Sequence, residues 1–98
     1  MIKEYSNAQI IQLLGERFRT YRVNLRMTQK ELSERSGISV PTIQKFEAGN
    51  ATNISLSTLL TLMRNTGLIE FADKLIPEQP ISPYAKRQVK KVRHHGNS

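Results

Sequence analysis

Between Thr28 and Gly49 the chain reads TQKELSERSGISVPTIQKFEAG, and the placing of its caps, glycines and single proline leaves few ways to fold it. Thr28 with Glu31 three residues on is a capping-box pattern, in which hydroxyl and carboxylate each bond the other residue's backbone amide, so a helix starts here. Leu32 and Ser33 fall on its inward side. Gly37 stops it, because the residue just past a helix end commonly turns left-handed, a conformation that strains any Cβ. Ile38 plugs the corner and Ser39 caps a second helix. Pro41 falls in that helix's first turn, where an amide hydrogen would have no intrahelical acceptor. Gly49 ends it. The pattern predicts two short helices joined by a tight turn.

At 100° per residue, Ile43, Phe46 and Glu47 share one side of the second helix, and Pro41, Gln44, Lys45 and Ala48 share the other. The outer face is small, polar and singly charged. Caps, a glycine and apolar plugs also suit a plain structural corner of a helical bundle. An outer face of this kind, however, fits a DNA major groove, which admits one helix and rewards side chains that carry both donors and acceptors.

From about Leu14 to Ile76 the segments LGERFRTYR, LRMTQKEL, SGIS, TIQKFEAG and SLSTLLTLMRNTG stand in order. Taken together they resemble the Xre/Cro and phage repressor family of helix-turn-helix domains. The Thr-Gln opening helix 2, the turn glycine and the Glu-x-Gly ending helix 3 recur in that family at these spacings. Ser33 departs from the alanine usual there, and Pro41 departs on the reading face, where it offers no hydrogen bond to a base. The resemblance implies an all-α, five-helix lambda-repressor-like domain over residues 1–76, with helix 3 as the reading helix. It also implies an ion pair between Arg22 and Glu47, a Gln29 that contacts the DNA backbone and braces the reading helix, and a homodimer on a two-fold symmetric operator.

Composition narrows the function classes. Ninety-eight residues with 38% hydrophobic content supply one modest core. The absence of cysteine leaves neither a disulfide framework nor a thiolate metal site. No apolar run spans a bilayer, and the opening MIKEYSNAQ has no secretory apolar region, so a cytoplasmic protein is expected. The net charge of +7 favours a polyanionic partner, and without an amphipathic membrane helix nucleic acid is the expected one, which the resemblance narrows to double-stranded DNA. No nucleophile with a base, no metal cluster and no phosphate-binding glycine loop is arranged for catalysis. No enzyme activity, cofactor, metal or small-molecule effector is therefore expected.

The first helix is predicted from Asn7, capped by Ser6 and Gln9, to about Leu25, with Ile10, Leu14, Phe18, Tyr21 and Leu25 as an inward stripe. Arg22 sits on the edge of that stripe and Glu47 points inward from helix 3, where a carboxylate facing DNA would be repelled by phosphate. After Gly49, Asn50 and Thr52 lie in a polar loop that fits either a plain turn or a phosphate contact. Ser55 caps a fourth helix, predicted to turn Leu56, Leu59, Leu60 and Met63 inward, with Gly67 closing it. A last helix from Ile69 to Ile76, with Phe71 and Leu75 inward, stops at Pro77. Leu68, Ile69 and Ile76 exceed what the core holds and are the expected dimer surface.

The predicted reading set is Gln44, bidentate to an adenine edge, Lys45 to guanine acceptors or a phosphate, and Val40, Pro41 and Thr42 on thymine methyls. Gln29 opens helix 2 with its side chain and nearby amides free at a positive helix end.

Residues 77–98 form a different segment. It holds three of the four prolines and then five basic residues, Lys86, Arg87, Lys90, Lys91 and Arg93, giving it +4 against +3 for residues 1–76. It lacks the apolar content to fold alone. Contact with DNA phosphates is the expected role, a functionless tail being the alternative, and His94-His95 is too short for a metal site. The leading function is a sequence-specific, repressor-like DNA-binding regulator. The alternative is an antitoxin-type subunit that binds its operator and also holds a partner protein, toxin-like or kinase-like.

Overall fold

A computed structural model describes residues 2–80, and every regular element among them is helical. Four α-helices follow one another: α1 (Asn7–Asn24), α2 (Gln29–Ser36), α3 (Val40–Glu47) and α4 (Leu56–Arg64), with short 3-10 helices at Ile2–Glu4 and Ile69–Lys74. Local chemistry fixes each start. Ser6 Oγ accepts the Gln9 amide at 3.1 Å while Gln9 Oε1 accepts the Ser6 amide at 2.7 Å. Thr28 and Glu31 exchange the same pair at 3.0 and 2.9 Å. Ser39 and Ser55 accept the amides of Thr42 and Thr58. Each such cap is worth about 1 kcal/mol. Gly37 ends α2 at φ 78°, the left-handed conformation that the sequence requires there.

All four α-helices meet in one core. Phe18 comes from α1, Leu32 from α2, Ile43 and Phe46 from α3 and Leu62 from α4, with Met27 from the link between α1 and α2. Burying each of these contributes roughly 1.5 to 3 kcal/mol. The Phe18 and Phe46 rings lie 5.7 Å apart, tilted by 43°. α1 crosses α3 at Gly15, where an added Cβ would stand 1.9 Å from the Phe46 carbonyl oxygen. Backbone meets backbone there, which only glycine allows.

The inward faces depart from several expectations. Tyr21 and Leu25 are exposed, because the line Leu14–Phe18–Arg22 faces inward instead and α1 ends at Asn24. On α4 the fully buried residue is Leu62, whereas Leu56, in the first turn, is exposed. The LSTLLTLM run is apolar on too many sides for periodicity to choose between these faces. The last helix is 3-10 over Ile69–Lys74, and Phe71 and Leu75 are 58% and 51% exposed instead of inward. Three residues per turn bring Ile69 and Ala72 round to the protein, and the i to i+3 bonds Phe71 N–H to Leu68 O and Leu75 N–H to Ala72 O carry that geometry. Leu68 packs against the core and so leaves the expected dimer surface, while Ile76 is 87% exposed. Gly67, at φ 74°, lies beyond the end of α4 in the turn that leads to the 3-10 helix.

Candidate nucleic-acid interface

α3 has two chemically distinct sides. Ile43, Phe46 and Glu47 are buried, and Pro41, Thr42, Gln44, Lys45 and Ala48 are exposed, with Val40 half-buried at the edge. Ser39 Oγ donates to Thr42 Oγ1 at 2.9 Å, which holds Thr42 at the first turn. The side chains of Gln44 and Lys45 make no hydrogen bond to any described residue. Their donors and acceptors are left to solvent or to whatever approaches this face.

The buried side is held by one carboxylate. Glu47 is 3% exposed and Arg22 7% exposed. Arg22 Nε donates to Glu47 Oε2 and Arg22 Nη2 to Glu47 Oε1, both at 2.7 Å, while Arg22 Nη1 donates to the Met27 carbonyl at 2.7 Å. The paired fork raises the Arg22 pKa above its already high ordinary value, chiefly through the hydrogen bond to Glu47 and against the desolvation that burial imposes. A bidentate pair of this kind fixes angle as well as distance. The orientation of α3 against α1 is therefore set by electrostatics at its C-terminal end and by the Gly15 crossing.

Gln29 joins the same carboxylate. Its Nε2 donates to Glu47 Oε1 at 3.1 Å, so the side chain is committed at one end and is not free as expected. The bond braces α3 from α2. The backbone amides of Gln29 and Lys30 are the first-turn donors of α2 that no described residue caps, and they stand at the positive end of that helix.

Beyond α3 the chain closes in a Schellman turn. Asn50 N–H bonds the Lys45 carbonyl at 3.0 Å and Gly49 N–H bonds the Phe46 carbonyl at 3.2 Å, with Gly49 at φ 79°. Asn50 and Thr52 are both exposed directly beyond the end of α3. A polar groove of about 250 Å³ then separates α3 from the following loop; Thr42, Lys45, Thr52, Asn53, Ser55 and Thr58 are among its walls. The sequence reading missed Asn53 and Thr58. The signal was present in the cap pattern Ser55-x-x-Thr58, which places both hydroxyls at the start of α4 facing the loop. It also missed Gly15, which reads as an ordinary helix glycine until the crossing with α3 is seen.

Lys86, Arg87, Lys90, Lys91 and Arg93 lie outside the described residues. Among the described residues no group of histidine, cysteine, aspartate and glutamate is placed to hold a metal ion, and no helix is long and apolar enough to cross a membrane.

A helix-turn-helix family model of the Cro/C1 type matches residues 18–74, more than half of the chain. No curated protein and no solved structure matches significantly. The matched span runs from the middle of α1 through the 3-10 helix and takes in the capped turn, the exposed face of α3 and the Arg22–Glu47–Gln29 brace. The chain belongs to the Xre-like, Cro/C1-type helix-turn-helix family of DNA-binding domains.

Proposed function

We propose that this protein is a sequence-specific transcriptional regulator of repressor type, which lays α3 in the major groove of an operator. The observation that carries the reading is the division of α3. Its inner side is locked by Arg22, Gln29 and the Gly15 crossing, while Pro41, Gln44, Lys45 and Ala48 are exposed on the other side. Rigid presentation of donors and acceptors is what direct base readout requires. In this reading Gln44 bonds an adenine edge, Lys45 a guanine or a phosphate, and Val40, Pro41 and Thr42 meet thymine methyls.

Phosphates flank the reading helix on both sides. On one, the uncapped amides of Gln29 and Lys30 offer N–H donors at the start of α2. On the other, Asn50, Thr52 and the adjoining polar groove face the backbone that follows α3. Lys86, Arg87, Lys90, Lys91 and Arg93 add salt-sensitive attraction. One domain reads only a few base pairs, so two copies act together, with half-sites about 34 Å apart. Ile69 and the exposed Ile76 supply the dimer surface.

Selection of binding sites from random duplex DNA by the purified protein tests this. Enrichment of an inverted repeat with half-sites one helical turn apart is expected, together with footprint protection of both halves. Recovery of an asymmetric single half-site, or of no consensus at all, refutes the operator reading.

A further inference from the structure

We propose that the apolar groove between α1, α4 and the 3-10 helix binds a medium-chain carboxylate, with the alkyl chain in the groove and the carboxylate on Arg17 and Tyr21 of α1. The groove holds about 280 Å³. Its walls include buried Phe18, half-buried Met63 and Leu68, and, opposite α1, Phe71 and Leu75, which are 58% and 51% exposed. Water solvates such an aromatic and aliphatic surface poorly. No residue of α2 or α3 lines the groove, and neither do Ile69 and Ile76, so it is separate from the reading helix and from the dimer surface proposed above.

The polar groups on the walls give the occupant its chemistry. Arg17 is the one charged wall residue, and Tyr21 stands a turn further along the same face of α1. Neither the guanidinium nor the phenol hydroxyl bonds any described residue. No carboxylate lines the groove, so the positive charge at its wall has no answering charge there. Arginine keeps that charge at any working pH, its fork matches the two oxygens of a carboxylate, and the tyrosine hydroxyl adds a further donor. The opposite wall, from Met63 to Leu75, carries no charged or hydroxyl side chain. The complement to such a surface is polar at one end and apolar along the rest.

A helix of another protein fits that description less well, because an amphipathic helix carries polar residues along both flanks of its apolar stripe and this groove offers them partners on one side only. Size agrees with a small ligand. The volume lies just below the roughly 300 to 1,000 Å³ of sites that take drug-sized molecules, which suits one alkyl chain. The site lies inside the helical domain and needs no separate effector domain, and it departs from the sequence-based expectation of a chain without a small-molecule ligand.

Nuclear magnetic resonance titration of the full chain without DNA tests the proposal, using hexanoate, octanoate and decanoate below their micelle concentrations, with 1-octanol and acetate as comparisons. Saturable shifts of the Met63 and Leu68 methyls and the Phe71 ring are expected, with each added methylene tightening binding about twofold to fourfold. Octanoate should bind about tenfold tighter than 1-octanol, and acetate should not saturate. Arg17→Gln should erase that preference by weakening octanoate about tenfold while leaving 1-octanol unchanged. Phe71→Ser should weaken both, with circular dichroism checking the fold; if it unfolds the domain, the split between the two ligands in Arg17→Gln still decides. The absence of saturable groove shifts with every carboxylate overturns the proposal. So does equal affinity for 1-octanol and octanoate, which leaves Arg17 no part in binding, and so do shifts that acetate reproduces. Groove resonances that move with protein concentration alone also overturn it, by assigning the face to a second copy. None of these readouts depends on operator binding, so failure of the DNA reading leaves them unchanged.

Discussion

Gly15→Ala sets two physical effects of opposite sign against each other. On helix propensity alone the change should stabilise α1 by about 1 kcal/mol, because glycine is the poorer helix former. The fold demands the reverse. A Cβ at this position would stand 1.9 Å from the Phe46 carbonyl oxygen and 2.8 Å from its carbon, both backbone atoms that no rotamer change can move. To reach even 3.0 Å, the lower limit that real contacts respect, α1 and α3 must separate by about 1.1 Å. That displacement opens the Phe18–Phe46 contact and stretches the 2.7 Å bonds between Arg22 and Glu47. Overpacking costs about 1 to 3 kcal/mol, and a clash between backbone atoms that cannot repack belongs at the upper end, which leaves about 2 kcal/mol of net destabilisation after the propensity gain. With roughly 4 to 8 °C per kcal/mol for a domain of this size, the melting temperature should fall by several degrees at least. Thermal unfolding followed by circular dichroism measures it, with Gly37→Ala as the comparison. Gly37 sits at φ 78° with nothing within 4 Å of an added Cβ, so there only left-handed strain of about 1 to 2 kcal/mol applies and α3 keeps its place. If Gly15→Ala melts at or above the wild-type temperature, the close crossing is not what positions α3.

Glu47→Ala leaves the Arg22 guanidinium buried without its partner and should cost about 3 to 5 kcal/mol in denaturant unfolding. A loss below about 1 kcal/mol would mean that water replaces the carboxylate. Gln44→Ala should cost about 1 to 3 kcal/mol on the best operator and relax selectivity at one base pair, read by fluorescence anisotropy on single-base operator variants; an unchanged preference removes Gln44 from the reading set. Replacing Lys86, Arg87, Lys90, Lys91 and Arg93 by glutamine should weaken specific and random DNA alike and lower the salt slope by roughly 0.9 per lost phosphate contact, about 3 to 4.5 for three to five contacts. A slope that stays put sinks the phosphate role of the tail.

Where one residue type admits one conformation, the sequence was decisive. Ser6, Thr28, Ser39 and Ser55 each mark a helix start because the hydroxyl has one amide to accept from, and Gly37 marks a left-handed stop. The division of α3 follows from eight residues with a clear wheel. Legibility failed where apolar residues were too plentiful or the period changed. Four leucines in LSTLLTLM allow more than one inward face, and nothing in IEFADKL announces three residues per turn in place of 3.6. Gly15 was hidden for a different reason: its constraint comes from a backbone thirty-one positions away. For Gln29 the resemblance implied the brace but not its partner, since only the approach of α2 to the end of α3 reveals that its side-chain amide serves Glu47.

Because the side chains of Gln44 and Lys45 bond nothing among the described residues, and Pro41 and Ala48 are exposed, exchanging these four residues should leave folding nearly untouched. Surface changes of this sort usually stay within about 0.5 kcal/mol. The domain can thus drift toward a new operator, or have one grafted onto it, one outward position at a time and without passing through an unstable ancestor. Ile43, Phe46 and Glu47 have no such freedom, so the same eight-residue helix carries a variable text on a fixed page.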